Sequence, residues 1–96
     1  MEKEEIIEYL KIHKKELERN FGIQKMALFG SINTSEFKEK SDVDLLIHVR
    51  KKDKTWSNYL ALEELLQKSL GRKIDLVYFE SLNPLVKKTI DQLIYV

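Results

Sequence analysis

The sequence predicts an α/β fold in which a small sheet is flanked by helices. Two observations carry that reading. Segments with helical apolar periodicity alternate with short Val/Ile/Leu-rich runs of strand length. The three glycines and the one proline punctuate those segments instead of interrupting them.

Taken in order, residues 2–20 place Ile6, Leu10, His13 and Leu17 at helical spacing with Glu and Lys between them, and Asn20 and Gly22 supply a stop. Residues 23–29 read as a short strand ending at Gly30-Ser31. Residues 31–40 are open between a loop and a short helix with Ile32 and Phe37 facing inward. Residues 43–49 give the strongest strand, a near-continuous Val/Leu/Ile run of the kind buried on both faces. A charged loop over 50–54 leads to a long helix over 56–70, with Tyr59, Leu62, Leu66 and Leu70 on one stripe and Gly71 closing it. Residues 74–79 form a third strand, and Asn83-Pro84 has the cap and first-turn signature of a helix running to about residue 92. Sheet order does not follow from this pattern alone.

With 96 residues the chain is sized for one domain spanning 1–96, burying roughly 60–65% of its unfolded surface. Seventeen Lys and Arg against sixteen Asp and Glu leave a net charge of +1, which excludes a nucleic-acid-coating protein and an acidic disordered tail. Hydrophobic residues make up 43%, enough for a compact core. Without cysteine there is neither a disulfide scaffold nor a zinc–thiolate site. No apolar run approaches the roughly 20 residues of a membrane span. The opening MEKEEIIEYL is acidic where a secretory signal would be basic and then apolar, so a soluble cytoplasmic protein is expected.

Three aspartates stand where a core-building rule would not put them. Asp42 and Asp44 flank Val43 at the start of the most apolar strand, and residues two apart on a strand share a face. Asp75 lies near the start of another strand, between Ile74 and Leu76. If those strands are neighbours, three carboxylates converge at one end of the sheet. Such convergence is unfavourable without a counterion. A divalent cation is the simplest remedy, and hard oxygen donors select Mg²⁺ or Mn²⁺ over zinc. Two such ions can activate an attacking oxygen and stabilise a leaving pyrophosphate. Singly, each aspartate reads as an ordinary turn or strand-end charge; three inside otherwise apolar strands do not. Gly30-Ser31, at a strand end a dozen residues upstream, offers backbone N–H groups and a hydroxyl to a phosphate.

Gly30-Ser31, Ser41-Asp42-Val43-Asp44-Leu45-Leu46 and Lys73-Ile74-Asp75-Leu76-Val77 together resemble the minimal nucleotidyltransferase family of the DNA polymerase beta-like superfamily. The resemblance implies the small mixed sheet of that fold. It implies ATP bound through Gly30 and Ser31, and two Mg²⁺ ions held by Asp42 and Asp44. Asp75 would be the third carboxylate, a metal ligand that also helps deprotonate the acceptor hydroxyl. Many members are antitoxins paired with a HEPN-domain ribonuclease, and the implied reaction moves AMP from ATP onto a tyrosine of that toxin. The chain departs from the family's Gly-Ser-x-Ala-Arg-Gly pattern: Thr34 holds the arginine position and Ser35 that of the second glycine. This removes a cation expected near the triphosphate, for which Lys38 or Lys40 is a candidate substitute. The alternative function is therefore an antitoxin that neutralises its partner by binding alone. Nucleotide addition to an RNA end has no support in the sequence, and no direct contact with nucleic acid is expected.

Other chemistry-bearing residues read as structural. His48 shares the face of Asp44 but sits about 13 Å further along the strand, beyond joint ligation. His13 is expected to be half-buried, the 50–54 run solvated, and Trp56 and Tyr59 part of the core, a share of them free to face a partner.

Overall fold

The computed structural model describes residues 1–83 and 92–96. Its strands are β1 (Ile23–Phe29), β2 (Val43–Val49), β3 (Ile74–Tyr78) and β4 (Ile94–Tyr95); its helices are α1 (Lys3–Ile12), α2 (Lys14–Phe21) and α3 (Trp56–Leu70). The sheet order is β3-β2-β1-β4. β1 runs antiparallel to both β2 and β4, whereas β2 and β3 are parallel, so the sheet is mixed. The parallel pair is joined through α3, as parallel neighbours require a crossover. β1 and β2 form a hairpin whose long connection, residues 30–42, carries the Gly-Ser pair.

The first helical segment differs from the expected single helix. It is divided at His13, whose backbone (φ −94°, ψ 7°) leaves helical geometry. At the break the His13 ring stacks on Tyr9 and its Nδ1 lies 2.9 Å from the Tyr9 carbonyl, which also accepts the His13 backbone N–H. The Leu17 N–H donates to the His13 carbonyl at 2.8 Å, opening α2. Gly22 ends α2 in the left-handed region at φ 73°.

Alternation along β2 sorts its side chains. Val43, Leu45, Ile47 and Val49 join Ile6, Leu10, Leu17, Leu62, Leu66 and Leu70 of the helices in one buried cluster, with Met26 and Leu28 of β1 and Ile74 and Leu76 of β3. Asp44, Leu46 and His48 take the other face, where Leu46 and its cross-strand neighbour Ala27 are also fully buried. Burial on both faces is why β2 reads as a continuous apolar run.

α3 is capped by Thr55, whose Oγ1 accepts from the Asn58 N–H, and closed by Gly71 at φ 65°. It is tied to the edge strand twice. The Tyr59 hydroxyl donates to the Leu76 carbonyl at 2.8 Å, and Gln67 Oε1 accepts from the Ile74 N–H at 3.2 Å. Asn58 Nδ2 donates to the Phe21 carbonyl, joining α3 to the end of α2.

The structure settles one segment that the sequence leaves open and departs from the sequence pattern elsewhere. Residues 31–40 contain no α-helix: a 3₁₀ turn over Gly30–Asn33 is followed by turns, although Ile32 is buried and Phe37 half-buried as expected. Trp56 is not core; it is 72% exposed at the start of α3, stacked on the half-buried Tyr59. The charged 50–54 run is partly ordered by ion pairs, Arg50 with Asp53 and Lys54 with Glu80, while Lys51 and Lys52 are exposed. The two-residue strand β4 has no counterpart in the expected elements. The helix expected from Asn83-Pro84 falls on residues 84–91, which lie outside the described residues.

Candidate active site

The parallel pairing of β2 and β3 sets the centre of the site. Asp44 and Asp75 are register partners on adjacent strands, so their side chains leave the same face of the sheet at the same level. Asp42 lies just before β2 and is exposed, as is Asp75; Asp44 is half-buried. Burial raises the Asp44 carboxyl above its ordinary value, and Asp75 and then Asp42 push it the same way. Asp44 is thus the carboxyl on which the other two bear.

Phe29, the last residue of β1, pairs with Asp44, so the chain passes Asp44 as it leaves the sheet. Gly30 is the residue that passes, at φ 79°. A Cβ at this position would run into the Asp44 carboxylate. Two independent constraints, a left-handed backbone and a close approach, thus require glycine here. Ser31 follows in the first turn of the 3₁₀ segment.

Thr34 sits where the resemblance expects arginine. Its hydroxyl donates to the Ser31 carbonyl at 2.8 Å and accepts from the Glu36 N–H at 3.2 Å, while its own N–H also donates to Ser31 O. Thr34 therefore closes the Gly-Ser turn onto itself and presents no cation. A shallow groove of about 240 Å³ adjoins the chain just before Asp42, lined by Glu39, Lys40, Ser41, Gly71, Arg72 and Lys73. Lys40, one of the candidate substitutes, lines this groove; Lys38 does not.

Among the described residues no three His, Cys, Asp or Glu side chains stand close enough to form a finished metal cage. The fit of a divalent cation rests on the donor set instead. The donors are carboxylate oxygens, with Asp44 and Asp75 in register, and the Asp44 carboxyl, raised first by burial and then by Asp75 and Asp42, is one whose ionised form a bound cation would favour. Mg²⁺ demands few protein ligands and keeps much of its own water, which suits an open acidic edge better than a closed cage.

His48 stays apart, exposed near the far end of β2 with Nδ1 3.5 Å from Glu80 Oε1. Glu80 is held below the usual carboxylate range, chiefly by its hydrogen bond from Lys54. His13 is half-buried on the helical side. Two residues near the site do not stand out in the sequence. Arg72, 8% exposed, is the one buried charged side chain among the described residues. Asn33 Nδ2 donates to the carbonyls of Leu28 and Gln92, tying the Gly-Ser turn to the segment before β4, and its Oδ1 is buried without a partner. The only signal for Arg72 is its place directly after the glycine that ends α3 and three residues before Asp75; Asn33 gives none.

Comparison with known proteins places the chain in a family. A protein adenylyltransferase of Thermococcus cleftensis is 40% identical over 87 residues, covering 91% of this chain and 87% of that one. A Methanocaldococcus jannaschii chain named as a candidate protein adenylyltransferase is 43% identical over 95 residues, 96% of this chain and 95% of its own. The solved structure of a candidate minimal nucleotidyltransferase superposes with a TM-score of 0.77 at 26% identity, covering 94% of this chain and 90% of that one. A toxin–antitoxin crystal structure with AMP-PNP shares the fold at a TM-score of 0.62 and 22% identity, covering 90% of this chain and 64% of that one. The pattern of the nucleotidyltransferase domain matches residues 10–95, from the last turn of α1 through β4. Sequence and fold agree that the chain belongs to the nucleotidyltransferase domain family, alongside minimal nucleotidyltransferases and relatives named as protein adenylyltransferases.

Proposed function

We propose that the chain is an antitoxin that transfers AMP from ATP to a hydroxyl of a partner HEPN-domain toxin, the acceptor being a tyrosine. The observation that carries this reading is the in-register pair Asp44 and Asp75, with Asp42 in electrostatic reach, set beside the Gly30-Ser31 turn. The names of the relatives, protein adenylyltransferases, and the toxin–antitoxin structure with AMP-PNP support it.

In this reading Gly30 and Ser31 cradle the phosphates of ATP through backbone N–H groups and the Ser31 hydroxyl. Asp42, Asp44 and Asp75 hold Mg²⁺, two ions in the full site. When bound, Mg²⁺ supplies charge neutralisation at the α-phosphate and the departing pyrophosphate. Asp75, exposed at the edge strand, takes the proton of the acceptor hydroxyl. The hydroxyl oxygen forms a bond to the α-phosphorus as the α–β phosphoanhydride bond breaks. Pyrophosphate leaves and AMP remains on the acceptor. A folded partner docked beside the strand ends presents the hydroxyl in line.

Thr34 favours one second reading. With that residue folded back on Ser31 instead of reaching for the triphosphate, the chain can neutralise a partner by contact alone. Incubating the chain with its HEPN partner, ATP and Mg²⁺, followed by intact-mass measurement, separates the two. A gain of one or more AMP units on the partner, absent with Asp42→Asn, is expected. Tight association with no mass gain would establish the contact-only reading.

A further inference from the structure

Arg72 lies between the end of α3 and the start of β3, three residues before Asp75. A buried cation normally needs a carboxylate. Arg72 has no such ion pair among the described residues and is satisfied by backbone carbonyls instead. Nε donates to Met1 O at 2.8 Å, and Nη1 donates to Lys38 O at 2.7 Å and to Ser41 O at 2.9 Å. The guanidinium also stacks on Phe37, 4.4 Å from the ring centroid. Three of these four contacts fall on residues 37–41, the part of the β1–β2 connection that ends at Asp42. One residue further along, Lys73 O accepts from the Val43 N–H at 2.9 Å, so both sides of Asp42 are tied to the two residues that lead into β3.

Asp42 itself belongs to no strand and is exposed, so the β ladder does not fix it. We infer that Arg72 is a positioning residue that holds the 37–41 segment against the start of β3 and thereby sets Asp42 relative to Asp44 and Asp75 for cation binding. The inference rests on the reading of Asp42 as a metal ligand. Only a planar fork can serve two carbonyls from one nitrogen, a third from Nε, and stack on an aromatic ring at once. Lysine can replace the charge but not that geometry.

The test compares wild type, Arg72→Met, Arg72→Lys and Asp42→Asn, all well below their melting temperatures. Mn²⁺ alone is titrated and followed by water-proton relaxation, and amide exchange is measured without metal. Arg72→Met is expected to weaken Mn²⁺ binding about 10-fold, the usual effect of losing an outer-shell support. Arg72→Lys should fall between it and wild type. Exchange should accelerate at the amides of Ser41 and Val43 more than at Ile47 in the middle of β2. Should Arg72→Met fail to fold, Arg72→Lys carries the same comparison. Wild-type Mn²⁺ affinity in the folded Arg72 variants, with Asp42→Asn impaired, would overturn the positioning role. So would exchange that rises equally at all three amides, which marks a purely global effect. If Asp42→Asn itself binds Mn²⁺ like wild type, the metal-site reading fails first and the inference with it.

Discussion

Asp44 and Asp75 occupy the same register level on adjacent parallel strands, and the burial of Asp44 makes that proximity unfavourable while both are ionised. A carboxyl whose pKa is raised on folding binds its proton more tightly in the folded state. Its contribution is therefore most favourable below the ordinary value near 3.8 and is lost as pH rises through the raised folded value. In chelator-treated protein, Asp44→Asn should be more stable than wild type at neutral pH. The advantage should shrink as pH falls through the raised folded value and vanish only below the ordinary value near 3.8, where wild type is protonated in both states. Urea midpoints at several pH values check this, and an advantage that does not change with pH would refute the like-charge account. The same variant should lose AMP transfer by at least about 10³-fold, because charge neutralisation and positioning dominate phosphoryl chemistry.

Gly30→Ala should damage both fold and site. The left-handed backbone and the overlap with the Asp44 carboxylate together should cost about 1–3 kcal/mol. Gly71 provides the control: it has φ 65°, but a Cβ added there would meet no atom within 4 Å. Gly71→Ala should therefore lose only the conformational part, about 1 kcal/mol. Chemical denaturation of Gly30→Ala with and without Asp44→Ala completes a double-mutant cycle. Relief of the Gly30 penalty by Asp44→Ala is expected, and strict additivity would show that the two do not touch.

Strands β1 and β2 are legible to the residue, because apolar runs bounded by Gly22, Gly30 and charged loops leave little choice of limits. So is α3, whose apolar stripe and closing Gly71 set its limits. The adjacency of β2 and β3, which brings Asp44 to Asp75, is only conditional in the sequence because pairing is a long-range property with no local signature. Arg72 is hidden for a related reason: what buries it is a set of carbonyls 31 to 71 residues away. β4, two residues long, has no periodicity to read. Trp56 misleads because apolar character at the first residue of a helix says nothing about which side of the first turn faces the core.

Trp56→Ala should accordingly change little. The ring is 72% exposed and its main contact is a parallel stack on Tyr59 with centroids 5.5 Å apart. A loss of no more than about 1 kcal/mol is expected, the scale of one aromatic pair. Leu66→Ala, fully buried on the same helix, should lose about 2–5 kcal/mol. Denaturant midpoints compare the two directly, and acrylamide should quench Trp56 fluorescence efficiently in the folded wild type. A shielded tryptophan would contradict the placement of α3.

Thr34→Arg tests whether the departure from the family pattern limits nucleotide use. Thr34 is exposed, so a longer side chain has room to extend without disturbing the core. The substitution removes the hydroxyl bonds to Ser31 O and from Glu36 N–H, which should lower stability by about 0.5–1.5 kcal/mol. It also places a guanidinium at the position from which the resemblance expects the triphosphate to be contacted. One charge-assisted hydrogen bond to phosphate corresponds to a gain of roughly 10-fold in ATP affinity. Calorimetric titration of ATP with Mg²⁺ reads the gain, and AMP transfer to the partner should rise with it at subsaturating ATP. Tighter ATP binding without any transfer would assign the wild-type chain to neutralisation by contact. Unchanged ATP affinity would show that the Gly30-Ser31 turn does not face the triphosphate from Thr34.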